Sequence, residues 1–428
     1  MKKKFKVVGF SVILIMCCNL ITACWDKVEL EEEGYVAAIG IDFAQNPQLL
    51  RITFQITNPK AVAGGGTEAG SSGGAGEKRS EIVSMDAPGI LAARDLVSIT
   101  STRRISLAHS KVFIVSEELA KSTRFFHNIE AALREREMRR AMEFMVVREK
   151  AEEFIRNNIP LLEDRPQKFY EFMAKRWVET GFVPPFSNLN RFMQRTEEGG
   201  SLFLSIYGTT HKFGGATSNI QGDFLPGESD VRASNNTQMI GAAVFKGGKM
   251  IGKLTGYETR LAILLRPKPE VKSFLQSLPD PLSKKDKIAG RLFKNEKTKI
   301  KLNLDGKNPV IDVTVPISVD ILGITSFINY PEDLEKQKVL KKSIEKYFEE
   351  KSRDLVLKTQ SVYEGEPFLW ELEARKKFLT FDEYNNYDWM KHYAKAKVNI
   401  NYVVTIKGFG KQLNPPKLKQ EKNTQWEE

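Results

Sequence analysis

The placement of cysteine constrains this chain more than any other feature. Its three cysteines, Cys17, Cys18 and Cys24, all lie in the first two dozen residues. Lys2, Lys3, Lys4 and Lys6 come first, and the apolar run VVGFSVILIMCCNLITA follows from Val7 to Ala23. A positive start and an apolar run of that size read as an export segment. The central part falls a little short of the roughly twenty residues that span a bilayer as a helix, so a retained N-terminal helix is the competing explanation. The end of the run separates the two. Ile21-Thr22-Ala23-Cys24 has the form of a lipobox, an aliphatic residue and two small ones ahead of a cysteine. Small residues let the chain enter a peptidase cleft in extended form, and the thiol is nucleophilic enough to accept a diacylglycerol thioether. We therefore expect residues 1–23 to be removed as a lipoprotein signal peptide and Cys24 to be the lipidation site. Each methylene buried in the bilayer contributes about 0.8 kcal/mol, so two or more acyl chains give stable anchoring.

A lipidated sulfur cannot form a disulfide, and no other thiol is left for metal or nucleophilic chemistry. The remainder must be held by ordinary cores. From Cys24 onward there are 405 residues (428 less 23), enough for two or three of them. The formal charge of +11 falls to +7 once the four lysines of the export segment are removed, since that segment carries no acid. That balance suits a protein resting against anionic headgroups. It does not indicate nucleic acid, because the cations are interspersed with acids and no zinc-finger spacing or RNP-like aromatic motif occurs.

Periodicity predicts a mixed architecture. YVAAIGIDF at 35–43 and LLRITFQIT at 49–57 read as paired strands, followed by a Gly/Ala/Ser-rich stretch at 61–76 with almost nothing to bury. A helix is expected over 84–99, a buried strand over 111–116, and helices over 117–136, 149–158 and 167–180. SLFLSIYG at 201–208 reads as a strand, and 239–254 as a hairpin turning at Gly247-Gly248. Strands are expected at 298–304, 310–320 and 396–407. Helices are expected at 332–357 and 381–394, the first with Leu340, Ile344, Tyr347 and Phe348 at helical spacing. These elements imply an α+β chain, an elongated multidomain protein of mixed α/β domains with antiparallel-rich sheets. The expected divisions are an N-terminal domain over 24–200, a small middle domain or hairpin region over 201–265, a C-terminal domain over 266–411 and a tail over 412–428.

Motifs for chemistry are sparse. His109, His127, His211 and His392 form no HExxH or other tight ligand pair, and no GxSxG elbow or phosphate-binding glycine pattern occurs. We expect no catalytic, metal or cofactor-binding residues. The string Arg134, Arg136, Arg139 and Arg140, interleaved with Glu135 and Glu137, reads as an exposed salt-laced face. Trp177, Phe182 and Phe186 flank the Pro184-Pro185 break, and Tyr384, Tyr387, Trp389 and Tyr393 cluster late in the chain. Most should pack inward.

Several segments together resemble the Ger(x)C family, the lipoprotein C subunits of spore germinant receptors. They are TACWDKVEL at 22–30, VAAIGID at 36–42, ISLAHSKVFIVSEELAKS at 105–122 and IGAAVFKGGKMIGKLTGYETR at 240–260, with a weaker echo in IKGFG at 406–410. The chain departs from the family in a longer Gly-rich stretch at 61–76 and a less clear match over 358–380. The resemblance implies three mixed α/β domains and a non-enzymatic subunit at the outer face of the spore inner membrane. Its partners there would be integral membrane A-type and B-type subunits, in a complex that senses small nutrients and triggers germination. Cys24 would supply the anchor, with Trp25 and Asp26 at the membrane-proximal neck. Gly40 and Asp42 would shape the first strand and its turn. His109 and Glu117 would pack or hydrogen-bond, and Gly241, Phe245, Gly247 and Gly248 would build the hairpin. A lipid-anchored solute-binding protein is the alternative, requiring a deep polar cleft between two similar lobes. A lipid-anchored cell-wall enzyme would require convergent acids or a nucleophile–base pair.

Overall fold

A computed structural model describes residues 32–57, 80–160, 162–163, 165–215, 221–306 and 308–410. The export segment, Cys24, Trp25, Asp26, the Gly-rich stretch at 61–76 and the tail at 412–428 lie outside the described residues.

The first sheet grows from an antiparallel meander of β1 (Glu33–Phe43), β2 (Leu50–Thr57) and β3 (Ser80–Ala87). Next, α1 (Ile90–Val97) and β4 (Arg104–Ser106) lead to β5 (Val112–Ser116), which pairs parallel to β1. α2 (Glu117–Ala120) and α3 (Arg124–Ala132) cross to β6 (Glu143–Val147). α4 (Ala151–Asn157), α5 (Pro166–Thr180) and α6 (Leu189–Glu198) cross to β7 (Phe203–Thr209). The hairpin of β8 (Gln238–Lys246) and β9 (Lys249–Leu254) completes the sheet through β7. The strand order is β3-β2-β1-β5-β6-β7-β8-β9, with β4 beside β1, so a parallel centre carries antiparallel wings. The central strands VFIVS and EFMVV are nearly continuous apolar runs because both faces are covered. Phe125, Phe144, Phe192, Phe203 and Phe245 pack together on one face, the rings of Phe144 and Phe192 lying 4.9 Å apart. Ala38, Val112, Ile114, Met145, Phe154 and Tyr170 fill the other.

The second sheet follows α7 (Gly256–Leu265), which starts at a reciprocal capping box between Thr255 and Glu258. β10 (Ser273–Asp280), β11 (Ser283–Phe293), β12 (Lys299–Asn303) and β13 (Val310–Ile324) are antiparallel in the order β10-β11-β13-β12. α8 (Leu334–Lys358), α9 (Glu371–Ala374), α10 (Phe381–Tyr387) and α11 (Trp389–Tyr393) then lead to β14 (Lys397–Gly408), parallel to β13. Here burial alternates. Ile311, Val313, Val315, Ile317, Val319 and Ile321 of β13 point inward, where Leu340, Ile344 and Phe348 of α8 join the same core. Leu202, Leu204, Ala242 and Val244 of the first sheet belong to that core too. The result is a mixed α/β chain with two sheet-bearing domains and antiparallel-rich strands. The stretch 201–265 supplies β7, β8, β9 and α7, its strands extending the first sheet.

Side chains cover the middle of the outer edge of β14. The N–H groups of Tyr402 and Val404 donate to Glu349 Oε1 and Glu345 Oε1 of α8, each at 3.0 Å. Four helical residues between the glutamates (~6 Å) nearly match a two-residue strand repeat (~6.7 Å), so these two successive donors of the edge are both met.

Three expectations change. The segment expected as a helix over 84–99 is strand as far as Ala87, paired with β2 from Thr57↔Ser80 to Leu50↔Ala87, and the helix starts only after Pro88-Gly89. The single helix over 117–136 divides into α2 and α3 and ends at Ala132, so the arginine string lies in turns. The helix over 381–394 breaks at Asp388, whose φ of 49° is left-handed. Elements without a sequence expectation are also present: β4, β6, the β10–β11 hairpin, α6, α7 and α9.

Candidate functional site: the strand-end rim and the clamp between the domains

In open α/β sheets, ligands bind beyond the carboxyl ends of the parallel strands. Here those ends hold Asp42, Glu117, Glu149 and His211, and each is engaged within the chain. Asp42, at the end of β1, accepts the N–H groups of Ala151 (2.6 Å) and Glu152 (3.0 Å), the first two residues of α4. It thus closes a helix N-terminus contributed from another strand. Burial pushes its carboxyl up, more than these amides pull it down. Two residues earlier, a Cβ on Gly40 would lie 2.8 Å from Ile155 Cδ1 and 3.2 Å from Ala151 Cβ. The GID stretch of β1 is therefore a helix-docking device, glycine giving α4 close approach and aspartate capping it.

Glu117 opens α2 and receives Lys121 Nζ (2.5 Å), Lys253 Nζ of β9 (2.8 Å) and the Tyr207 hydroxyl of β7. Burial raises its carboxyl, but these three donors outweigh burial and hold it below the usual range. Glu149 accepts the Thr209 hydroxyl (2.5 Å) and both the N–H (2.6 Å) and hydroxyl (2.8 Å) of Thr210. Arg148 donates to Pro226 O (2.8 Å) with its guanidinium 3.7 Å above the Phe213 ring. His211 Nε2 stands 3.0 Å from Glu153 Oε1. What this rim does chemically is bind α2, α4 and the loop after β7 to the sheet.

A second polar assembly joins the domains. After α8 the chain passes through a π-helical turn, Thr359–Tyr363, and lies along β9 and the start of β7. The Tyr363 hydroxyl donates to Lys253 O (2.7 Å) and accepts from Lys253 N–H (3.2 Å), so one phenol occupies a free strand edge. A Cβ on Gly252 would fall 2.2 Å from this ring, which is why glycine is required there. Lys246 Nζ caps Glu364 O (2.8 Å), and the Leu202 N–H donates to Glu366 O (2.9 Å). Beneath lies a buried ion pair, Arg195 of α6 with Glu371 of α9, the latter also accepting the Tyr384 hydroxyl (3.3 Å). Glu366 is fully buried and accepts N–H groups from Phe368 (2.6 Å) and Glu371 (2.9 Å). Burial, with the charge of Glu371 adding to it, pushes Glu366 up to about 8.

The sequence singled out some of these residues and missed others. His109 packs edge-on to Tyr35, ring centres 4.8 Å apart. Gly241 (φ 81°) lets β8 pass close to Leu254, Phe245 lies in the core, and Gly247-Gly248 form the turn. Arg134, Arg136, Arg139 and Arg140 are exposed. Phe182 lies 3.6 Å beneath the buried Arg260 guanidinium, whereas Phe186 is exposed. Tyr384, Trp389 and Tyr393 are buried, and Tyr387 stacks on His392. The clamp residues Arg195, Tyr363, Glu366 and Glu371 were not anticipated. Their one sequence signal is the pair of acids inside the aromatic string EPFLWE at 366–371. Among the described residues, no group of three or more His, Cys, Asp or Glu side chains could hold a metal ion.

Comparison with known proteins covers both domains. Residues 26–208 match the family model of the spore germination protein N-terminal domain, and residues 240–410 match that of the spore germination B3/GerAC-like C-terminal domain. The chain is similar to the putative spore germination protein YfkR of Bacillus subtilis (strain 168), 20% identical over 95% of this chain and 97% of YfkR. Spore germination protein YndF of the same strain is 23% identical over 93% of this chain and 95% of its own. Spore germination protein KC, also from that strain, is 29% identical over a shorter stretch, 35% of this chain and 36% of KC. The crystal structure of the GerBC protein shares the fold, with a TM-score of 0.51 and 15% identity over 89% of this chain and all of that one.

Proposed function

Because the chain belongs to the Ger(x)C family of spore germination proteins, whose part in germination is non-catalytic, we propose that it is the lipid-anchored C subunit of a germinant receptor. Acyl chains on Cys24 hold it to the outer face of the spore inner membrane. There it serves nutrient-triggered germination by contacting integral membrane subunits of the A and B types and the anionic bilayer surface. The carrying observation is the position of the anchor signal. The lipobox ends at Cys24, and the family match begins two residues later at Asp26. The strand-end rim supports a scaffold over a solute-binding protein, because the side chains that would line a ligand crevice are spent on holding helices.

Mass analysis of the protein from mildly solubilised spore inner membrane, beside a C24A control, tests this reading. The expected result is a mature N-terminus at acylated Cys24 and two co-purifying integral membrane subunits, both reduced in the control. An unmodified Cys24 would refute the anchor. Acylated protein that repeatedly emerges alone would refute the receptor role.

A further inference from the structure

The first domain exposes three apolar side chains between the end of α4 and the middle of α5, beside the point where its chain leads back to Cys24. Leu162 is fully exposed, Ile159 is 66% exposed and Phe172 of α5 is 46% exposed. The stretch that carries them is held in place. Tyr170 of α5 is buried in the core beneath α4 and donors from Asn158 and Gln167 tie this region down. Asn158 binds the Tyr170 hydroxyl, and its side-chain oxygen accepts from Thr237 (2.9 Å) and Asn235 (3.2 Å). Gln167 Nε2 donates to the Thr57 hydroxyl at the end of β2. In the β1–β2 register Ile56 stands opposite Val36. The start of α5 is therefore next to the N-terminal end of β1, where the chain enters the sheet.

From Cys24 to Glu33 there are nine residues, a leash of at most ~31 Å when extended. We propose that Ile159, Leu162 and Phe172 act as one apolar patch that rests in the interface of the same bilayer that receives the acyl chains of Cys24. This rests on the anchoring reading above. One further feature matches the chemistry of a lipid interface. Lys168 and Lys175 hold their ammonium groups 5.6 and 5.3 Å from the centre of the Phe172 ring and share one carboxylate, Glu171, at 3.4 and 3.3 Å, so the group beside the apolar element keeps a net positive charge. Such stems lie along apolar surface while their heads reach polar headgroups. Large apolar groups with flanking lysines are the composition of interfacial segments. The acyl chains supply the affinity, and the patch supplies orientation. A lipid anchor is a single point of attachment, whereas a second contact point turns a defined side of the first sheet toward the membrane and its integral partners.

Cys24 is the single cysteine expected in the mature chain, and acylation occupies its sulfur, so reporter cysteines can be placed without background. The lipidated full-length protein would carry Leu162→Cys or Phe172→Cys, labelled with an environment-sensitive fluorophore. It would be reconstituted into phosphatidylcholine/phosphatidylglycerol vesicles with brominated acyl chains. Lys346→Cys, on the outward side of α8, is the reference. Leu162 and Lys346 are exposed, so neither change disturbs the core. We expect a blue shift at 162 and 172, with loss of most of their emission to bromine, and no quenching at 346. Equal, weak quenching at all three sites with Cys24 acylated would overturn the patch and leave the anchor standing. A blue shift without bromine quenching would mark a protein contact and overturn the lipid assignment. Protein that lacks acyl chains and stays off the vesicles would overturn both readings.

Discussion

Removing Glu345 and Glu349 together tests whether the covered edge of β14 contributes to stability. Each carboxylate accepts one backbone N–H at 3.0 Å, from Val404 and Tyr402 respectively. A hydrogen bond to a charged group contributes roughly 1.5–3 kcal/mol net. The Glu345 side chain is 22% exposed, so water competes and the lower figure applies. Replacing both residues by alanine leaves two strand donors without a partner and should cost about 3 kcal/mol, offset by a few tenths from alanine's helix propensity. For a domain of this size 1 kcal/mol corresponds to roughly 2–4 °C, so the expected loss in Tm is about 6–12 °C. The strand should not detach, because the Tyr402 hydroxyl stays bonded to Ser352 Oγ at 2.8 Å in the core. Thermal and urea unfolding read the cost, and light scattering reads a second consequence, concentration-dependent association through the opened edge. The glutamine pair, which keeps two neutral acceptors, should recover about half of the loss. A double alanine variant that melts within about 1 °C of the parent and stays monomeric would refute the edge-covering role of α8.

Two other perturbations probe a glycine within β8 and the clamp. Gly241→Ala places a Cβ 2.3 Å from Leu254 O at a φ of 81°. With about 1–2 kcal/mol for the left-handed backbone and about 1–3 for the overlap, urea unfolding should show a loss of ~3–4 kcal/mol. Gly247→Ala, where a Cβ meets nothing within 4 Å, is the control and should lose only ~1 kcal/mol. Equal losses at the two sites would contradict the close approach. Glu366, pushed up to about 8 by burial and by Glu371, keeps its proton in the folded state at pH values where the unfolded chain has lost it. Its contribution is complete below the ordinary carboxylate range and falls as pH rises toward 8, by at most ~1.4 kcal/mol per unit. Glu366→Gln should lower stability overall, because its amide nitrogen would face the N–H of Phe368 or Glu371. It should also flatten the decline in Tm between about pH 5 and 8, and an unchanged slope would remove Glu366 as the titrating group.

Local chemistry made part of this protein legible in the sequence. The expectation of an export segment and of lipidation at Cys24 rests on contiguous residues, so it needs no fold and remains a proposal. The hairpin at Gly247-Gly248 follows from a turn that only its own residues determine, and α8 from apolar residues at helical spacing between Leu340 and Phe348. The motif residues Gly40, Asp42 and Glu117 were visible, but their work was not. Asp42 caps a helix 109 residues away, and Glu117 gathers donors from two distant strands.

Tertiary structure alone decided the rest. SEIVSMDA is strand because β2 offers it a complete hydrogen-bond ladder, which outweighs the helical spacing of the residues after it. β11 was hidden because its exposed positions Lys284, Lys285, Lys287 and Arg291 dilute the few apolar residues that face the core. The clamp around Glu366 joins residues from both domains, separated by up to 176 positions in Arg195–Glu371. Whether an acid in such a stretch is solvated or buried depends on which surface covers it. That choice is made by packing between domains, and no window of neighbouring residues contains it.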